Sequence, residues 1–510
     1  MRTCIIFCAG GFEKLIEPVR EGDFLMAADG GLVHLQKLGL TPDGILGDFD
    51  SLGYVPQNAK VFPVEKDDTD AMLAVRQGLA LDYRRFVIYG GLDGPRLDHT
   101  VANFQTLQFL ADHGAQGYLV GNSYVATVVK NASVQFAETA EGMYMYDENG
   151  TPYLDFYAGI AVNNAGNRNP KVVAAAKEQL DDIMHTFNYP YTIPQALLAE
   201  KVCETIGMDK IFYQNSGTEA NEAMIKMARK YGIEKYGPNR YHIVTAKMGF
   251  HGRTFGAMSA TGQPGNGCQV GFGPMTYGFS YAPYNDLQAF KDACTENTIA
   301  IMVEPVQGEG GVHPATKEFM QGLRKFCDEN DMLLLIDEVQ TGWCRTGAVM
   351  SYMNYGIKPD IVSMAKGLGG GMPIGAICAT AEVAKAFTPG SHGTTFGGHP
   401  VSCAAALAEV NELIDRNLAG NAKKVGDYFA EKLAKLPHVK EVRHQGLLVG
   451  VEFDDTISGV EVKHGCLDRH LLITAIGAHI IRLIPPLIVT EEDCDKAVAI
   501  IEETVKALEK

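Results

Sequence analysis

Short apolar runs alternate with amphipathic segments along the whole chain. Runs such as "RRFVIYGG", "AIMVEPV" and "MLLLIDE" are almost continuously hydrophobic, which is typical of strands buried on both faces of a parallel sheet. The segment "PATKEFMQGLRKFCDEN" repeats its apolar residues with the period of a helix. This alternation predicts α/β architecture, and it predicts a buried strand over residues 333–337 that ends in a carboxylate.

The chain is long enough for two or three domains, and its motifs change in character near residues 131–143. Before that segment the distinctive residues are aspartates that follow strands. After it they are a lysine, threonines, glycine clusters and two arginines. We place a domain boundary at about 135–140, which predicts a small α/β parallel-sheet domain at 1–135 and a larger domain at 136–510.

Composition and charge limit the kinds of partner. An apolar fraction of 46% and a charged fraction of 21% are ordinary for a globular protein. The net charge of −17 argues against binding to nucleic acid and against docking on an anionic membrane. No apolar run approaches the roughly 20 residues of a membrane helix, and the 11 cysteines lack the spacing of disulfide frameworks or zinc sites. We therefore expect small-molecule chemistry in a reducing cytoplasm.

Four acidic groups follow predicted strands of the first domain, namely "ADGG", "LGDFDS", "EKDDTDAM" and "GGLDGPRLDHTVAN". The carboxyl ends of parallel strands meet at one edge of a sheet, where carboxylate oxygens suit Mg²⁺ shared with phosphate. The alternative is that these aspartates cap loops and turns. The candidates are Asp29, Asp48, Asp50, Asp70 and Asp98.

These motifs, in this order, resemble the catalytic domain of thiamine pyrophosphokinase over about residues 1–130. The resemblance implies binding of ATP and Mg²⁺, with Asp48, Asp50 and Asp70 as metal-binding or catalytic carboxylates and Lys66 near the phosphates. The chain leaves the pattern before the β-sandwich that builds much of the thiamine pocket in that family. Thiamine pyrophosphokinase activity, an ATP-binding appendage and an inactive remnant are therefore the alternatives for this domain.

In the second domain, Lys366 lies between a predicted strand, "DIVSMA", and a glycine-rich turn. Its flanks are small and apolar, so its pKa should be lowered towards that of a Schiff-base lysine. Asp337 ends the preceding buried strand, where a carboxylate can keep the pyridine nitrogen of pyridoxal 5′-phosphate (PLP) protonated. "NSGTEANEAM" places Ser216, Gly217 and Thr218 at a helix start, which suits a phosphate group or is an ordinary N-cap.

Other residues could complete a cofactor and substrate site. Phe250 in "KMGFHGRTFGAMS" could stack on one face of a flat ring and Val339 on the other, although core packing explains either residue alone. Gln340 could bind the ring hydroxyl, and Arg253 suits a substrate carboxylate. Thr394 and Thr395 lie in the glycine-rich loop "GSHGTTFGGHP", which could reach a phosphate, and Thr394 is also a candidate substrate-binding residue.

The order NSGTEAN, FHGR, VEPVQGEGG, DEVQTG, AKGLGGG, HGTTFGG and RLIPPL resembles the class III (ω-amino acid) aminotransferases over nearly all of 142–510. The resemblance implies PLP-dependent transferase fold type I, in which a mostly parallel mixed sheet forms a large domain at about 185–395. A small α+β domain would then comprise 136–184 and 396–510. It implies no metal in this part of the chain.

The resemblance also implies residue roles. Lys366 would bond covalently to PLP and shuttle a proton, Asp337 would pair with the pyridinium nitrogen, and Gly217 and Thr218 would bind the phosphate. Thr395 would reach the phosphate of the partner subunit, which implies a homodimer. Three further residues would act on substrates. Arg253 would bind the α-carboxylate of the amine donor, and Arg482 would bind the α-carboxylate of glutamate. Glu309 would neutralise Arg482 when the donor is bound.

Within the family, "DFYAGIAVNNAG" and "VEPVQGEGGVHPAT" are similar to acetylornithine aminotransferases. This implies transfer from N2-acetyl-L-ornithine to 2-oxoglutarate in arginine biosynthesis, with ornithine, succinylornithine and 4-aminobutyrate as competing donors. Two segments depart from the family pattern. Asn167-Arg168-Asn169 replaces a histidine-rich loop at the entrance, and Trp343-Cys344 replaces Met-Gly, so that Trp343 either lines the entrance or packs in the core.

Overall fold

The computed structural model describes the chain except residues 1, 13–14, 17, 21, 64–67, 93–96, 122–124, 129–141, 148–149, 266 and 510, and it describes the backbone alone at 97–101 and 125. The chain forms two compact units, Met1–Glu138 and Thr139–Lys510. The predicted boundary at 135–140 lies outside the described residues. The predicted limits of the large and small domains within the second unit stay predictions.

The first unit is built on one twisted sheet with helices on both faces. Its strands are β1 (Cys4–Phe7), β2 (Phe24–Ala28), β3 (Gly44–Gly47), β4 (Lys60–Val61), β5 (Arg85–Tyr89), β6 (Gln116–Val120) and β7 (Val125–Thr127). Its helices are α1 (Leu32–Lys37), α2 (Asp70–Ala80) and α3 (Leu97–Asp112). The strand order is β4-β3-β2-β1-β5-β6-β7, and the described pairs are parallel except β6 with β7.

Alternate residues of β1 belong to different cores. Cys4 and Ile6 pack in the cluster that contains residues of α2 and α3, whereas Ile5 and Phe7 pack in the cluster that contains residues of α1. Because successive side chains of a strand point to opposite faces, a strand covered on both sides must be apolar throughout. This accounts for the continuous hydrophobic run at the start of the chain.

The second unit contains a central sheet and smaller sheets beside it. Its strands are β8 (Tyr144–Tyr146), β9 (Pro152–Asp155), β10 (Lys210–Gln214), β11 (His242–Ala246), β12 (Phe279–Ala282), β13 (Thr298–Val303), β14 (Val306–Gln307), β15 (His313–Pro314), β16 (Leu333–Asp337), β17 (Ile361–Met364), β18 (Gly375–Ala379), β19 (Val439–Gln445), β20 (Leu448–Phe453), β21 (Leu471–Leu472), β22 (Thr474–Ile476) and β23 (Ile480–Leu483).

Twelve α-helices accompany these strands in the described part of the second unit. They are α4 (Ala158–Ala161), α5 (Pro170–Asp182), α6 (Ile193–Ile206), α7 (Gly217–Tyr236), α8 (Phe255–Ala260), α9 (Leu287–Ala293), α10 (Lys317–Glu329), α11 (Ala381–Ala384), α12 (Pro400–Asp415), α13 (Leu418–Leu433), α14 (Gly459–Leu467) and α15 (Glu491–Leu508).

The central sheet has the order β10-β18-β17-β16-β13-β11-β12. Strand β18 runs antiparallel to both of its neighbours, and the other described pairs are parallel. All strands except β18 therefore point the same way. Their carboxyl ends lie along one edge, which is where ligands bind in open α/β sheets.

The run predicted as a strand buried on both faces is β16, and each of its five residues is buried. Leu333 and Leu335 pack in the cluster that contains residues of α7, while Leu334 and Ile336 pack in the cluster that contains residues of α10. The apolar run thus supplies both layers of the core, and its last residue, Asp337, is buried at the carboxyl edge.

Three smaller sheets accompany the central sheet in the described part of the second unit. Strands β19, β20, β23 and β22 form an antiparallel sheet, and β14 pairs antiparallel with β15. In the third small sheet β9 runs parallel to β21 and antiparallel to β8. Strand β23 carries Arg482, which is buried. None of the described helices has the length and the apolar character needed to cross a membrane.

Candidate active site

The carboxyl edge of the central sheet brings three predicted functional residues together. Strand β16 ends at Asp337, β17 is followed by Lys366, and β10 leads into α7, which begins at Gly217. They line a cavity of about 570 Å³, a volume ordinary for small-molecule sites. The predicted site residues that line this cavity are Ser216, Gly217, Thr218, Phe250, Arg253, Glu309, Asp337, Val339, Gln340 and Lys366.

Asp337 is 3% exposed and is held by hydrogen bonds from three other segments. Its Oδ2 atom accepts a hydrogen bond from Asn221 Nδ2 at 2.7 Å and lies 2.7 Å from His251 Nδ1. Its Oδ1 atom accepts from Val339 N at 3.0 Å and from Ser363 Oγ at 3.4 Å. A buried carboxylate needs such partners, and they fix its orientation towards the cavity.

Lys366 begins a short 3₁₀ turn, Lys366–Leu368. Its φ of +47° lies in the left-handed region. Residues other than glycine rarely adopt this backbone conformation, and those that do cluster at functional sites. Burial lowers the pKa of Lys366 to about 8, against the opposing effect of the Glu309 carboxylate. Some of the amine is therefore unprotonated at neutral pH, as a nucleophilic or proton-transferring lysine requires.

Arg482 and Glu309 form an ion pair at the side of the cavity. Arg482 Nη1 lies 2.6 Å from Glu309 Oε1. Although burial alone would raise the pKa of Glu309, the Arg482 guanidinium holds it below its ordinary value. Gln340 joins both members, since its Nε2 donates to Glu309 Oε1 at 3.1 Å and its Oε1 accepts from Arg482 Nη1 at 3.2 Å. The predicted bond from this amide to a ring hydroxyl stays a prediction.

The start of α7 is tightly packed against its neighbours. Ser216 is the N-cap, and its Oγ accepts a hydrogen bond from Glu219 N at 3.4 Å. A Cβ atom at Gly217 would lie 2.5 Å from Val339 Cγ1, and one at Gly252 would lie 2.2 Å from Thr218 Oγ1. Glycine is therefore required at both positions, and the first residues of the helix, Gly217 and Thr218, line the cavity.

The two residues predicted to flank a flat ring, Phe250 and Val339, both line the cavity. The Arg253 guanidinium carbon lies 5.8 Å from the centroid of the Phe250 ring. A cation over the face of an aromatic ring is held by the ring quadrupole, so this contact orients the guanidinium at the cavity wall.

Among the predicted residues of this unit, Arg482 contacts Glu309 and Gln340 of the cavity wall, whereas Thr394 and Thr395 do not line this cavity within one chain. They line a separate, more polar cavity of about 380 Å³ with Gln214, Glu219 and Glu222. Thr394 Oγ1 accepts hydrogen bonds from Asn215 Nδ2 at 3.2 Å and from Gly397 N at 3.0 Å. The expectation that Thr395 serves a partner subunit is compatible with this placement and stays a prediction.

Sequence reasoning missed four polar residues around Asp337, namely His251, Asn221, Ser363 and Glu304. His251 stands next to Phe250 in the "FHGR" motif, and Glu304 stands five residues before Glu309 in "VEPVQGEGG". The signal was therefore present in motifs that had already been singled out. The spacing alone gave no reason to prefer these members over their neighbours.

The residues that depart from the family pattern serve structural purposes. Asn169 caps α5 by accepting from Lys171 N and Val172 N, and Asn167 Nδ2 donates to the buried Asp155 at 2.9 Å. Arg168 is exposed. Trp343 is 1% exposed and belongs to the main core cluster, so of the two interpretations of this residue, core packing is confirmed.

In the first unit, the carboxylate oxygens of Asp29, Asp48 and Asp50 lie within 4.8 Å of one another. Asp29 is buried, and its Oδ1 atom has no hydrogen-bond partner among the described residues. Asp70 begins α2. Of the remaining predictions, Lys66 lies outside the described residues, and Asp98 lies in α3 where only the backbone is described.

The cavity of the second unit fits PLP by its donor set. A buried carboxylate suits a pyridinium nitrogen, a lysine with a lowered pKa suits an aldehyde, and an N-terminal helical turn packed through glycine suits a phosphate group. Phe250 and Val339 supply the apolar contacts that a flat ring needs.

Residues 124–505 match the family model described as Aminotransferase class-III, and residues 17–119 match the one described as Thiamin pyrophosphokinase, catalytic domain. The acetylornithine aminotransferase of Caldanaerobacter subterraneus subsp. tengcongensis is 47% identical over 373 residues, which cover 72% of this chain and 94% of that relative. The acetylornithine aminotransferase of Methanocaldococcus jannaschii is 44% identical over 374 residues, which cover 72% of this chain and 93% of that relative.

A solved structure, the ornithine aminotransferase from Toxoplasma gondii, is similar with a TM-score of 0.70 at 33% identity, and the match covers 75% of this chain and 93% of that one. These similarities confirm the predicted fold class, PLP-dependent transferase fold type I preceded by a small α/β unit. The chain therefore belongs to the class III aminotransferases and is a PLP-dependent enzyme of that family.

Proposed function

We propose that the chain transfers the δ-amino group of N2-acetyl-L-ornithine to 2-oxoglutarate, giving N-acetyl-L-glutamate 5-semialdehyde and L-glutamate. The names and the 40–47% identities of the curated relatives support this donor. The observation that carries the proposal is the single cavity lined by Lys366, Asp337 and Glu309, the last of which is paired with Arg482.

Five residues would hold PLP in this cavity. Asp337 would pair with the ring nitrogen, Phe250 and Val339 would contact the ring faces, and Gly217 and Thr218 would bind the phosphate. When bound, PLP withdraws electrons from the substrate carbon that carries the amine, so that a proton on this carbon becomes acidic.

Lys366 would move the proton that transamination requires. Its Nζ accepts the proton from the substrate carbon and then releases it, and this exchange is efficient because the pKa of Lys366, at about 8, is close to the working pH. The hydrogen bonds of His251 and Asn221 keep the Asp337 carboxylate in one orientation throughout.

Glu309 and Arg482 would let one cavity accept two kinds of substrate. With the amine donor bound, Glu309 stays on Arg482 and cancels its charge. With glutamate or 2-oxoglutarate bound, the α-carboxylate of the substrate replaces Glu309 on Arg482, while Arg253 holds the distal carboxylate. This exchange depends on Glu309 moving, and Glu309 is the more exposed member of the pair.

We expect N2-acetyl-L-ornithine to exceed L-ornithine in kcat/KM by at least about tenfold, which corresponds to ~1.4 kcal/mol. Acetylation removes the α-ammonium that would otherwise lie beside the Arg253 guanidinium. Steady-state kinetics with both amines, succinylornithine and 4-aminobutyrate measure the preference. A clear preference for one of the other three amines would contradict the proposed donor.

A matched control for this experiment is Arg482→Gln. In single-turnover measurements it should slow the glutamate half-reaction by about 100-fold or more, since the variant removes the buried guanidinium that would bind the α-carboxylate of glutamate. The acetylornithine half-reaction should fall much less. Equal losses in both half-reactions would argue against the charge exchange while leaving the donor preference open to the kinetic comparison.

We further propose that the chain is a homodimer. Tyr189 and Tyr191 are each 92% exposed, and Phe187 and Ile193 beside them are exposed as well, so this segment presents a contiguous apolar surface. Sedimentation equilibrium should give twice the chain mass, and the double variant Tyr189→Asp, Tyr191→Asp should sediment as a monomer. Tyr54→Asp, at an exposed tyrosine of the first unit, is the control and should stay dimeric. A monomeric wild type would contradict the proposal.

A second candidate function concerns the first unit, which we propose binds Mg²⁺ with ATP. The convergence of Asp29, Asp48 and Asp50 supports it, because three carboxylates that close together repel one another unless a cation or protons neutralise them.

Calorimetry of ATP with Mg²⁺ on the whole chain should detect binding that Asp48→Asn weakens by about tenfold or more. The control Asp82→Asn, an exposed aspartate of the same unit, should leave binding unchanged. An accompanying assay for pyrophosphate transfer to thiamine separates a kinase from an ATP-binding appendage, and absence of binding would indicate a remnant.

A further inference from the structure

Three carboxylates line the PLP cavity, and their surroundings differ. Glu309 is paired with Arg482, and Asp337 is held by His251 and Asn221. Glu304 also lines the cavity, yet it forms no ion pair in the part of the chain that the structure describes. Whether Glu304 is ionised therefore depends on interactions that differ from those of Glu309 and Asp337.

Glu304 directly follows β13 and is 7% exposed. Its Oε2 atom accepts a hydrogen bond from Phe250 N at 3.0 Å, and its backbone oxygen accepts one from Tyr284 Oη at 2.7 Å. Within the described residues its other carboxyl oxygen, Oε1, has no hydrogen bond and is not fully buried, and Glu304 is one of the residues that line the cavity. One neutral N–H donor does not replace the hydration that an ionised carboxylate loses on burial.

The charged groups around Glu304 act in both directions. Burial and the neighbouring Asp337 carboxylate, together with the more distant Glu309, hold the pKa of Glu304 well above its ordinary value. The Phe250 N–H and the Lys366 ammonium oppose this rise without reversing it. Protonation removes the repulsion from Asp337 and leaves Oε2 free to accept from Phe250.

We propose that Glu304 is a neutral carboxylic acid in the active site, where it positions Phe250 through Oε2 and offers the proton on Oε1 to an anionic oxygen in the cavity. The oxygen is either that of the PLP ring or that of a substrate carboxylate, since both accept such a donor. Glu304 is thus a positioning and proton-holding residue beside Lys366. This inference rests on the proposed function only in treating the cavity as the active site.

The proton is read directly from an infrared difference spectrum of the full chain loaded with PLP at pH 7, wild type minus Glu304→Gln. We expect a carbonyl band of a protonated carboxylic acid, because other buried acids are common to both proteins and cancel. The matched control, wild type minus Glu309→Gln, should instead give carboxylate bands. Carboxylate bands in the Glu304→Gln difference would overturn the proposal, whichever amine proves to be the substrate.

A second readout uses the lysine. The rate at which the PLP-free chain captures PLP covalently should rise with pH through a midpoint near 8, because only the unprotonated Lys366 amine reacts. Glu304→Gln should leave this midpoint within about 0.3 pH unit, since a neutral acid is replaced by a neutral amide. Glu309→Gln should lower the midpoint, since it removes a charge that raises the pKa of Lys366. Any lowering by Glu304→Gln larger than about 0.3 pH unit would show that Glu304 is ionised, because a charge on Glu304 would also raise the pKa of Lys366, and it would overturn the proposal.

The acceptor of the proton is identified by the same infrared band. A shift of the band when PLP is added to the PLP-free chain assigns the PLP ring oxygen, and a shift only on further addition of 2-oxoglutarate assigns the substrate carboxylate. A band that moves in neither step would overturn the donor part of the proposal.

Discussion

Replacing Lys366 by alanine is expected to lower kcat/KM for transamination by at least about 10⁴-fold, since one substitution removes both the covalent attachment of PLP and the base that moves the proton. The absorbance of PLP bound covalently to the protein should disappear as well. Steady-state kinetics and absorption spectra of the purified whole chain measure both effects.

The fold should survive this substitution. Lys366 makes no ion pair among the described residues, and its amine is desolvated at a cost that alanine does not carry. Lys358→Ala, at an exposed lysine in the loop before β17, is the control and should keep full activity and full absorbance. A Lys366→Ala protein that retained both the covalent absorbance and turnover would refute the assignment of the lysine.

Asp337 and Lys366 could be predicted from the sequence because each stands beside a distinctive local pattern of residues. A continuous apolar run fixes β16 as a doubly buried strand, so a carboxylate at its end must have a purpose. A strand followed by a glycine-rich turn likewise marks Lys366. Features of this kind depend on a few neighbouring residues and therefore survive without knowledge of the tertiary structure.

The partners of Asp337 could not be predicted in the same way. His251 lies 86 residues from Asp337 along the chain, and Asn221 lies 116 residues away. Their meeting depends on the strand order, in which β11 and β16 are separated only by β13. Register and order of the strands are set by the packing of the whole sheet rather than by any one segment.

The direction of individual side chains also could not be predicted from the sequence. Gln340 lines the cavity as expected, but its hydrogen bonds to Glu309 and to the buried Arg482 could not be foreseen, since these partners lie 31 and 142 residues away along the chain. For Trp343, both alternatives were compatible with its place beside the site, and burial in the main core decided between them. The direction of such a side chain depends on which groups lie near it in the folded protein, and the sequence alone does not show which groups these are.

Asp337→Asn is expected to lower kcat/KM by about 10²–10³-fold, because the amide cannot hold the ring nitrogen of PLP in its protonated form and the electron-withdrawing effect is lost. Stability should also fall by about 1–3 kcal/mol, since the amide nitrogen would face the donors Asn221 Nδ2 and His251 Nδ1 in place of Oδ2. Kinetics, PLP affinity by fluorescence and urea unfolding measure these effects separately.

The neighbouring Glu338 provides the matched control for Asp337→Asn. It is buried at the same strand end, where Thr341 Oγ1 and Tyr352 N donate hydrogen bonds to its carboxylate, and it does not line the cavity. Burial raises the pKa of Glu338 to about 7, so Glu338→Gln removes a charge that is only partly present at neutral pH. That variant should keep kcat/KM within about threefold, because neither PLP nor substrate would meet the side chain. If Asp337→Asn bound PLP and also kept kcat/KM within threefold of wild type, the carboxylate would be a structural acceptor for His251 and Asn221 and not the partner of the ring nitrogen. A loss confined to Asp337→Asn, with PLP still bound, would instead locate the effect in the charge that Asp337 presents to the cavity.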